Sequence, residues 1–381
     1  MAASTAPRII KPWIVLGAVL VLQPGFGFAA DFSFSGGLER VGDESLSIKL
    51  ADRRTIDAML PSTPGLDAAA IAAKYRMGDQ VEITCTPITP VWEKATARYQ
   101  SLQMSAMRLI RRPTGEELAA LLAGVPFREG KNLLQRPPAP PAPPSQGPAA
   151  DAPGGRELAL ARQVNLQYAA NMPNFVADEK AKRYRRGPAS TAFRDFDTVQ
   201  SEITFQGNHA SRRDIRRDGK PWPQRFEALP GFKWYEGFGT EIRPLFDPKC
   251  PTTIAYQGNS KMEGRPVLDY QFSAPVDGCF PLFFFDYQRF NPARTGHFSI
   301  DETDGHILQL DEDAAGFPPE IQFADREEHI TWDHVRIEGE VHVLPVRASF
   351  LVRYYDGTRY RIEVEYRNHR HFEASSNLTF H

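Results

Sequence analysis

Val346-Arg347-Ala348-Ser349-Phe350-Leu351-Val352-Arg353-Tyr354, the tetrapeptide Tyr355-Asp356-Gly357-Thr358, and Arg359-Tyr360-Arg361-Ile362-Glu363-Val364-Glu365-Tyr366-Arg367 form the stretch that decides the fold. Its even positions are Val346, Ala348, Phe350, Val352 and Tyr354, then Tyr360, Ile362, Val364 and Tyr366. Its odd positions are Arg347, Ser349, Leu351 and Arg353, then Arg359, Arg361, Glu363, Glu365 and Arg367. A period of two marks strands with one buried and one wet face. Tyr355-Asp356-Gly357 interrupts the pattern as a turn. With Gly357 left-handed after a type I turn, the loop has three residues. Val352 then faces Tyr360, Phe350 faces Ile362 and Arg347 faces Glu365. A two-residue loop at Asp356-Gly357 would set apolar against charged side chains, so parity selects the longer one. The result is a long antiparallel hairpin with one apolar face that something must cover.

Upstream, strands are expected at about 253–257, 265–273, 282–290, 294–301, 307–311, 328–338 and 340–354, with 372–380 closing the chain. Phe280, Leu282, Phe283, Phe284, Phe285, Tyr287 and Phe290 read as one strand buried on both faces. Residues 156–171 carry an apolar stripe, Ala161, Val164, Tyr168 and Met172, and predict a helix stopped by Pro173. One helix cannot hide so much sheet, so the sheet must curl around its own side chains. Residues 226–239 hold Phe226, Phe232, Trp234, Tyr235 and Phe238, a lid or a core plug, with the plug favoured. The basic run 180–186 reads as a solvated strand face.

Residues 137–144 read Pro-Pro-Ala-Pro-Pro-Ala-Pro-Pro, an extended spacer that buries no core. Before it lie three strands (32–40, 44–50, 55–60), an alanine-rich helix (66–75) and two more strands (80–85, 99–110). That order resembles an OB-like barrel; the alternatives are a purely structural barrel or an oligonucleotide or oligosaccharide face. Thr114 and Glu117 have capping-box spacing ahead of a short helix.

The expected class is mainly β. A small OB-like β-barrel domain (31–124) is followed by a Pro-rich linker (125–155). A large curved antiparallel sheet, an incomplete barrel with an N-terminal helix, completes the chain (156–381).

Arg8 and Lys11, the apolar run 13–22 and the small-x-small site at Gly27-Phe28-Ala29 predict a secretory signal peptide over 1–29. Its removal takes the formal charge from −2 to −4, which gives no support for nucleic-acid binding. The expected location is the periplasm or outside the cell. Export permits a disulfide, and Cys250 and Cys279, both near strand-edge turns, are expected to pair. Cys85, the third cysteine, belongs to a strand core.

No phosphate loop, nucleophile elbow, His-Glu-x-x-His or CxxC motif occurs, so no catalytic residue, cofactor or metal is assigned. His369 and His371 share a strand phase with Glu363, Glu365 and Glu373, but interleaved arginines oppose a cation. His329 and His334, near Glu327, Glu328 and Asp333, read as surface residues.

Asn171-Met172-Pro173-Asn174-Phe175, Tyr235-Glu236-Gly237-Phe238-Gly239 and the closing 366–376 segment resemble a group of exported proteins of Acidobacteria-type bacteria. That group in turn is similar to the LolA/LolB-like periplasmic lipoprotein carriers. The resemblance covers about 156–381 and implies an incomplete barrel with a helical lid whose interior holds acyl chains. The expected function is non-enzymatic binding of a lipid, an acylated protein or an apolar peptide. The candidate wall is Phe283, Phe285, Phe298, Phe350, Val352, Tyr360, Ile362, Val364 and Tyr366, with Trp234 and Phe238. The alternatives are a solid barrel acting as an envelope scaffold or stress-signalling partner, and a hydrolase. The expected partner is a lipid or lipoprotein, or an envelope protein.

Overall fold

The computed structural model describes residues 31–88, 101–123, 131–135, 137, 146–206, 209–234, 239–285 and 287–371. The signal segment, most of the proline run, Phe238, Glu373 and the closing strand expected at 372–380 lie outside the described residues.

Strands β1 (Phe32–Val41), β2 (Ser45–Lys49) and β3 (Thr55–Met59) form a meander. Helix α1 (Ala68–Lys74) follows, then β4 (Gln80–Ile88) and β5 (Ser101–Arg111). β4 pairs with β1 and β5, and a parallel bridge from Met59 to Gln103 joins β3 to β5. That bridge closes a five-stranded barrel in the OB strand order, as the element order predicts. Leu38, Leu46, Ile48, Ile56, Val81, Ile83 and Cys85 fill it. Asp67 caps α1 by accepting from the Ala70 amide. Helix α2 (Gly115–Ala123) opens with the capping box: Thr114 Oγ1 accepts from the Glu117 amide, and Glu117 Oε2 accepts from the Thr114 amide.

Helix α3 (Gly155–Ala170) precedes β6 (Phe175–Arg186), β7 (Arg194–Gln206), β8 (His209–Arg217) and the short β9 (Lys220–Pro221). Helix α4 (Ile242–Phe246) leads to β10 (Thr253–Met262), β11 (Arg265–Ala274), β12 (Phe283–Phe285) and β13 (Gln288–Phe290). The chain ends in β14 (Ala293–Asp301), β15 (Ile307–Ala315), β16 (Phe323–Ile337), β17 (Glu340–Tyr354) and β18 (Arg359–His371). An open eleven-stranded antiparallel sheet runs β10-β11-β14-β15-β16-β17-β18-β6-β7-β8-β9. Its β17–β18 register is the one parity selects: Val352 opposite Tyr360, Phe350 opposite Ile362, Arg347 opposite Glu365. Gly357 is left-handed (φ 86°) at the turn. The sheet coils strongly at one end. Arg347 of β17 bonds Glu263 in the β10–β11 turn at 2.8 Å, and Arg265 of β11 bonds His334 of β16 at 2.6 Å.

One core fills the inner face of this sheet. Phe226, Leu229 and Trp234 plug it, with Ile242, Leu245 and Phe246 of α4 beside them. Helix α3 covers the rest, with only part of the stripe the spacing predicts: Ala161 and Met172 are in the core. Its buried face is Leu158, Ala161, Asn165 and Ala169, with Val164 and Tyr168 at the flank. Asn165, fully buried, donates to the carbonyls of Ala161 and Gly305 and accepts from the Ile307 amide, each near 2.8–2.9 Å. It fastens the helix to the β14–β15 turn.

The run 282–290 departs from the expected single strand. It is a hairpin, β12–β13, and it leaves the large sheet to join the barrel sheet. β13 pairs with the first half of β3, Gln288 opposite Ile56 and Arg289 opposite Thr55. Strand β3 is thus shared, its end bonded to β5 and its beginning to β13. The hairpin places Phe284 at 67% exposure, where a doubly buried strand would have hidden it. Cys250 and Cys279 form a disulfide, Cα–Cα 5.5 Å, tying the start of β10 to the segment before β12. No described helix is long and apolar enough to cross a membrane.

Candidate functional site

Two buried charged clusters stand on the inner face of the large sheet, and they differ in how fully they are satisfied. The first lies on β6–β8. Arg183 forks onto Asp197 at 2.5 Å and donates to the carbonyls of Pro230 and Phe232 at 2.9 and 3.1 Å. Glu179 accepts from Arg212 at 2.7 and 2.8 Å, from the Ser201 hydroxyl at 2.5 Å and from Trp234 Nε1 at 2.9 Å. Arg212 also stacks on Phe226 at 4.1 Å. These bonds hold the 226–234 plug in place. Arg183 is therefore no solvated residue of the basic run: it shares the inward phase of β6 with Ala177 and Ala181.

The second cluster lies on β14–β16 and is built by register. Arg294, Ala314 and Arg326 lie opposite one another in one row, and Gly296, Glu312, Glu328 and Phe350 in the next. Glu312 and Glu328 face each other as like charges, a destabilising pair unless neighbours compensate. Arginines of the neighbouring row compensate: Arg294 pairs with Glu312 across the strands and Arg326 with Glu328 along β16. Glu328 is thus buried, where the sequence reading took it for a surface residue. Glu241, just before α4 and only 5% exposed, adds a third carboxyl. Among the described residues it has no ion-pair or hydrogen-bond partner, and its Oε2 is orphaned. Glu312 Oε2, Glu328 Oε1 and Arg294 Nε are orphaned with it. Burial first, then the charges of Glu312 and Glu328, hold the Glu241 carboxyl well above the usual range; Arg294 and Arg326 pull it back. Burial likewise pushes Glu328 up to about 7.

Part of this second cluster forms the polar floor of a cavity of about 560 Å³ between the sheet, the plug and the barrel-bound hairpin. Glu241, Arg294 and Arg326 line the floor. The walls are aromatic: Phe232 and Trp234 from the plug, Phe283, Phe284 and Phe285 from β12, Phe323, Phe350 and Tyr354 from β16 and β17. Phe285 meets Phe323 edge-on at 4.8 Å, and Phe323 meets Tyr354 at 4.7 Å. Phe283 lies against both guanidinium groups, 4.7 Å from Arg294 and 5.2 Å from Arg326.

Of the expected wall residues, Trp234, Phe283, Phe285 and Phe350 line this cavity. Phe298, Val352, Ile362, Val364 and Tyr366 are buried in the packed interior, and Tyr360 is half-buried. Phe238 lies outside the described residues. The cavity sits at one end of the interior strands β14, β16 and β17, because α3, α4 and the plug fill the rest of the inner face. Tyr354 lines it too, as its place in the hairpin's apolar phase implies, whereas Phe232, Phe323 and the charged floor were missed. Parity was the usable signal, since Arg326 and Glu328 share the phase of Ile330, and Glu312 that of Leu310.

Two histidine groups gather the residue types of chemistry, His329 on the outer phase of β16 and His334 on the side of α3. His329 bridges Asp311 (2.5 Å) and Thr331 Oγ1 (3.1 Å), in the order of a nucleophile–base–acid relay. It lies on an open sheet face, and β16 is paired on both edges, so its ladder amides are not available as oxyanion donors. His334 with Asp301 and Asp304 brings three potential ligand atoms within 4.8 Å. Arg265 reaches into that group, donating to His334 Nδ1 at 2.6 Å, and supplies the positive charge there. His369, whose Nε2 lies 3.0 Å from the Pro345 carbonyl, packs on Phe175.

No family model matches the sequence, and no curated protein matches it. Among solved structures there is a weak resemblance to LolA-superfamily folds over a little more than half the chain. The LolA superfamily protein NE2245 from Nitrosomonas europaea is 8% identical, covering 56% of this chain and 94% of its own, with a TM-score of 0.28. MucB is 9% identical, covering 59% and 100%, with a TM-score of 0.20. The Pseudomonas aeruginosa MucA/MucB complex is 11% identical, covering 57% and 99%, with a TM-score of 0.15.

Proposed function

We propose that this is a non-enzymatic periplasmic protein whose aromatic cavity takes an apolar chain, that of a lipid, an acylated protein or an apolar peptide. The observation that carries the reading is the cavity itself. Its volume of about 560 Å³ falls in the range of small-molecule sites, and its walls are aromatic around a few polar groups. The exposed ring of Phe284 at its mouth costs the free protein apolar hydration that a ligand would relieve. The positively charged start, the apolar run and the small-x-small site support export. The Cys250–Cys279 disulfide belongs to an oxidising compartment and supports the same location.

Burial of ten methylenes at about 0.8 kcal/mol each corresponds to roughly micromolar affinity. The test is titration calorimetry of decanol into the full chain. Phe285→Ser and Phe323→Ser are expected to weaken binding at least about tenfold with far-UV circular dichroism unchanged. No heat of binding, together with no lipid retained in native mass spectrometry, overturns the reading.

The packed trough favours a second reading. A sheet plugged by Phe226, Leu229 and Trp234 also suits an envelope scaffold or stress-signalling partner that acts through its surface. Capture of the same envelope protein by wild type and by Phe285→Ser, without decanol binding, selects it.

A further inference from the structure

The buried charged cluster at the cavity floor has one carboxyl more than it has guanidinium groups. Three buried carboxylates, Glu241, Glu312 and Glu328, stand against two guanidinium groups, Arg294 and Arg326. Each arginine pairs with its own glutamate. Arg294 also donates to the Pro281 carbonyl at 3.0 Å, and Phe rings cover the guanidinium faces. Lys233, at the rim, turns its ammonium to the carbonyls of Leu229 and Gly231. Among the described residues, Glu241 alone of the cluster's charged groups has no partner, and it lines the cavity. The Glu179–Arg183 cluster on the same sheet shows that this fold satisfies buried charges where they only hold structure. An unsatisfied one facing a cavity calls for a ligand group.

We propose that the ligand carries a protonated primary amine at one end of its apolar body, and that this ammonium seats on Glu241. This rests on the apolar-cavity reading above and adds the head group to it. An ammonium brings N–H donors and no acceptor, which suits the orphaned Oε2 of Glu241 at the cavity lining. An anionic head would face the Glu241 carboxyl and compete with Glu312 and Glu328 for the two guanidinium groups, and a neutral hydroxyl brings one donor and no counter-charge. Aromatic walls tolerate a cation at their faces, as Phe283 does for two guanidinium groups. A raised Glu241 carboxyl is the expected state of such a site before its counter-charge arrives.

The experiment titrates decylamine, decanol and decanoate, all below micelle formation, into the full chain at pH 7.5. Wild type and Glu241→Gln are compared, with thermal melting as a control of folding. Decylamine is expected to bind about tenfold tighter than the other two. Glu241→Gln is expected to bring decylamine to the level that decanol reaches in the same variant. Decanoate binding tightest, or decylamine equal to decanol in wild type, overturns the head-group assignment and leaves the apolar cavity standing. An amine preference that survives in Glu241→Gln overturns it too. If none of the three binds, the cavity reading fails and the head group with it. Should Glu241→Gln fail to fold, the order of the three probes on wild type decides alone.

Discussion

Arg289, on the hairpin that leaves the large sheet, pairs with Asp57 on barrel strand β3 across 232 residues of chain. Asp57 also accepts from the Ser47 hydroxyl at 2.6 Å, and the Asp57 amide donates to the Tyr287 carbonyl at 3.0 Å. The barrel edge that a strand-2/strand-3 ligand would approach is thereby taken by the protein's own chain. Lys49 and Arg53 hold Asp277 at 2.5 and 3.2 Å, so the join has a second anchor.

Arg289→Ala is therefore expected to loosen the join without unfolding either sheet. The arginine is nearly buried and Asp57 is partly solvated, so the loss is about 1–2 kcal/mol. A double-mutant cycle with Asp57→Ala in chemical denaturation measures the coupling directly. Zero coupling would mean that strand pairing alone seats the hairpin.

Arg183→Ala is expected to cost more, about 3–5 kcal/mol, because it leaves a buried carboxylate with only one arginine. Arg217, at 2.6 Å, is the remaining partner of Asp197. The same change releases the carbonyls of Pro230 and Phe232 and so loosens one cavity wall. Arg183→Lys keeps the charge but not the fork and is expected to fall between. Denaturant midpoints give the ranking. An alanine variant as stable as wild type would show that the plug holds without this anchor.

Stability should also report the second cluster through pH. A carboxyl whose folded value lies above its unfolded value of 4.5 keeps a proton that the unfolded chain releases. Its stabilising contribution is full below about pH 4.5 and is lost as pH rises through the folded value, about 7 for Glu328. His369, lowered by burial, acts oppositely over part of the same window. The difference between wild type and Glu241→Gln isolates the glutamate: the variant should gain stability relative to wild type from pH 5 to pH 8. Unfolding curves at each pH check it. A flat difference would mean that Glu241 titrates as in water.

The residues that announced themselves were those whose local period agrees with their long-range partners. Hairpin 346–366 was legible because parity admits one register, and the barrel because its helix falls between the third and fourth strands. Phe283 to Phe290 was not, since an unbroken apolar run reads alike as one buried strand or as a tight hairpin. Its pairing with Thr55 and Ile56 has no local signature at all. Arg294, Glu312, Arg326 and Glu328 were hidden by their charge, although each keeps the inward phase of apolar neighbours. Half of the site was therefore readable as grease, and its floor was not.

Asn165 is the same lesson on a helix: a polar residue in the innermost position, displaced from the expected stripe by the three bonds it makes. Asn165→Ala would leave the Ile307 amide and the Gly305 carbonyl buried without this partner. Each orphaned group costs about 1–3 kcal/mol, so a loss of about 2–5 kcal/mol is expected. Asn165→Leu restores volume but not the bonds, and should recover little. Hydrogen exchange at Ile307 separates the cases. Faster exchange there in both variants places the loss at the helix–turn bond, whereas unchanged protection in Asn165→Leu would show that packing alone holds α3 to the sheet.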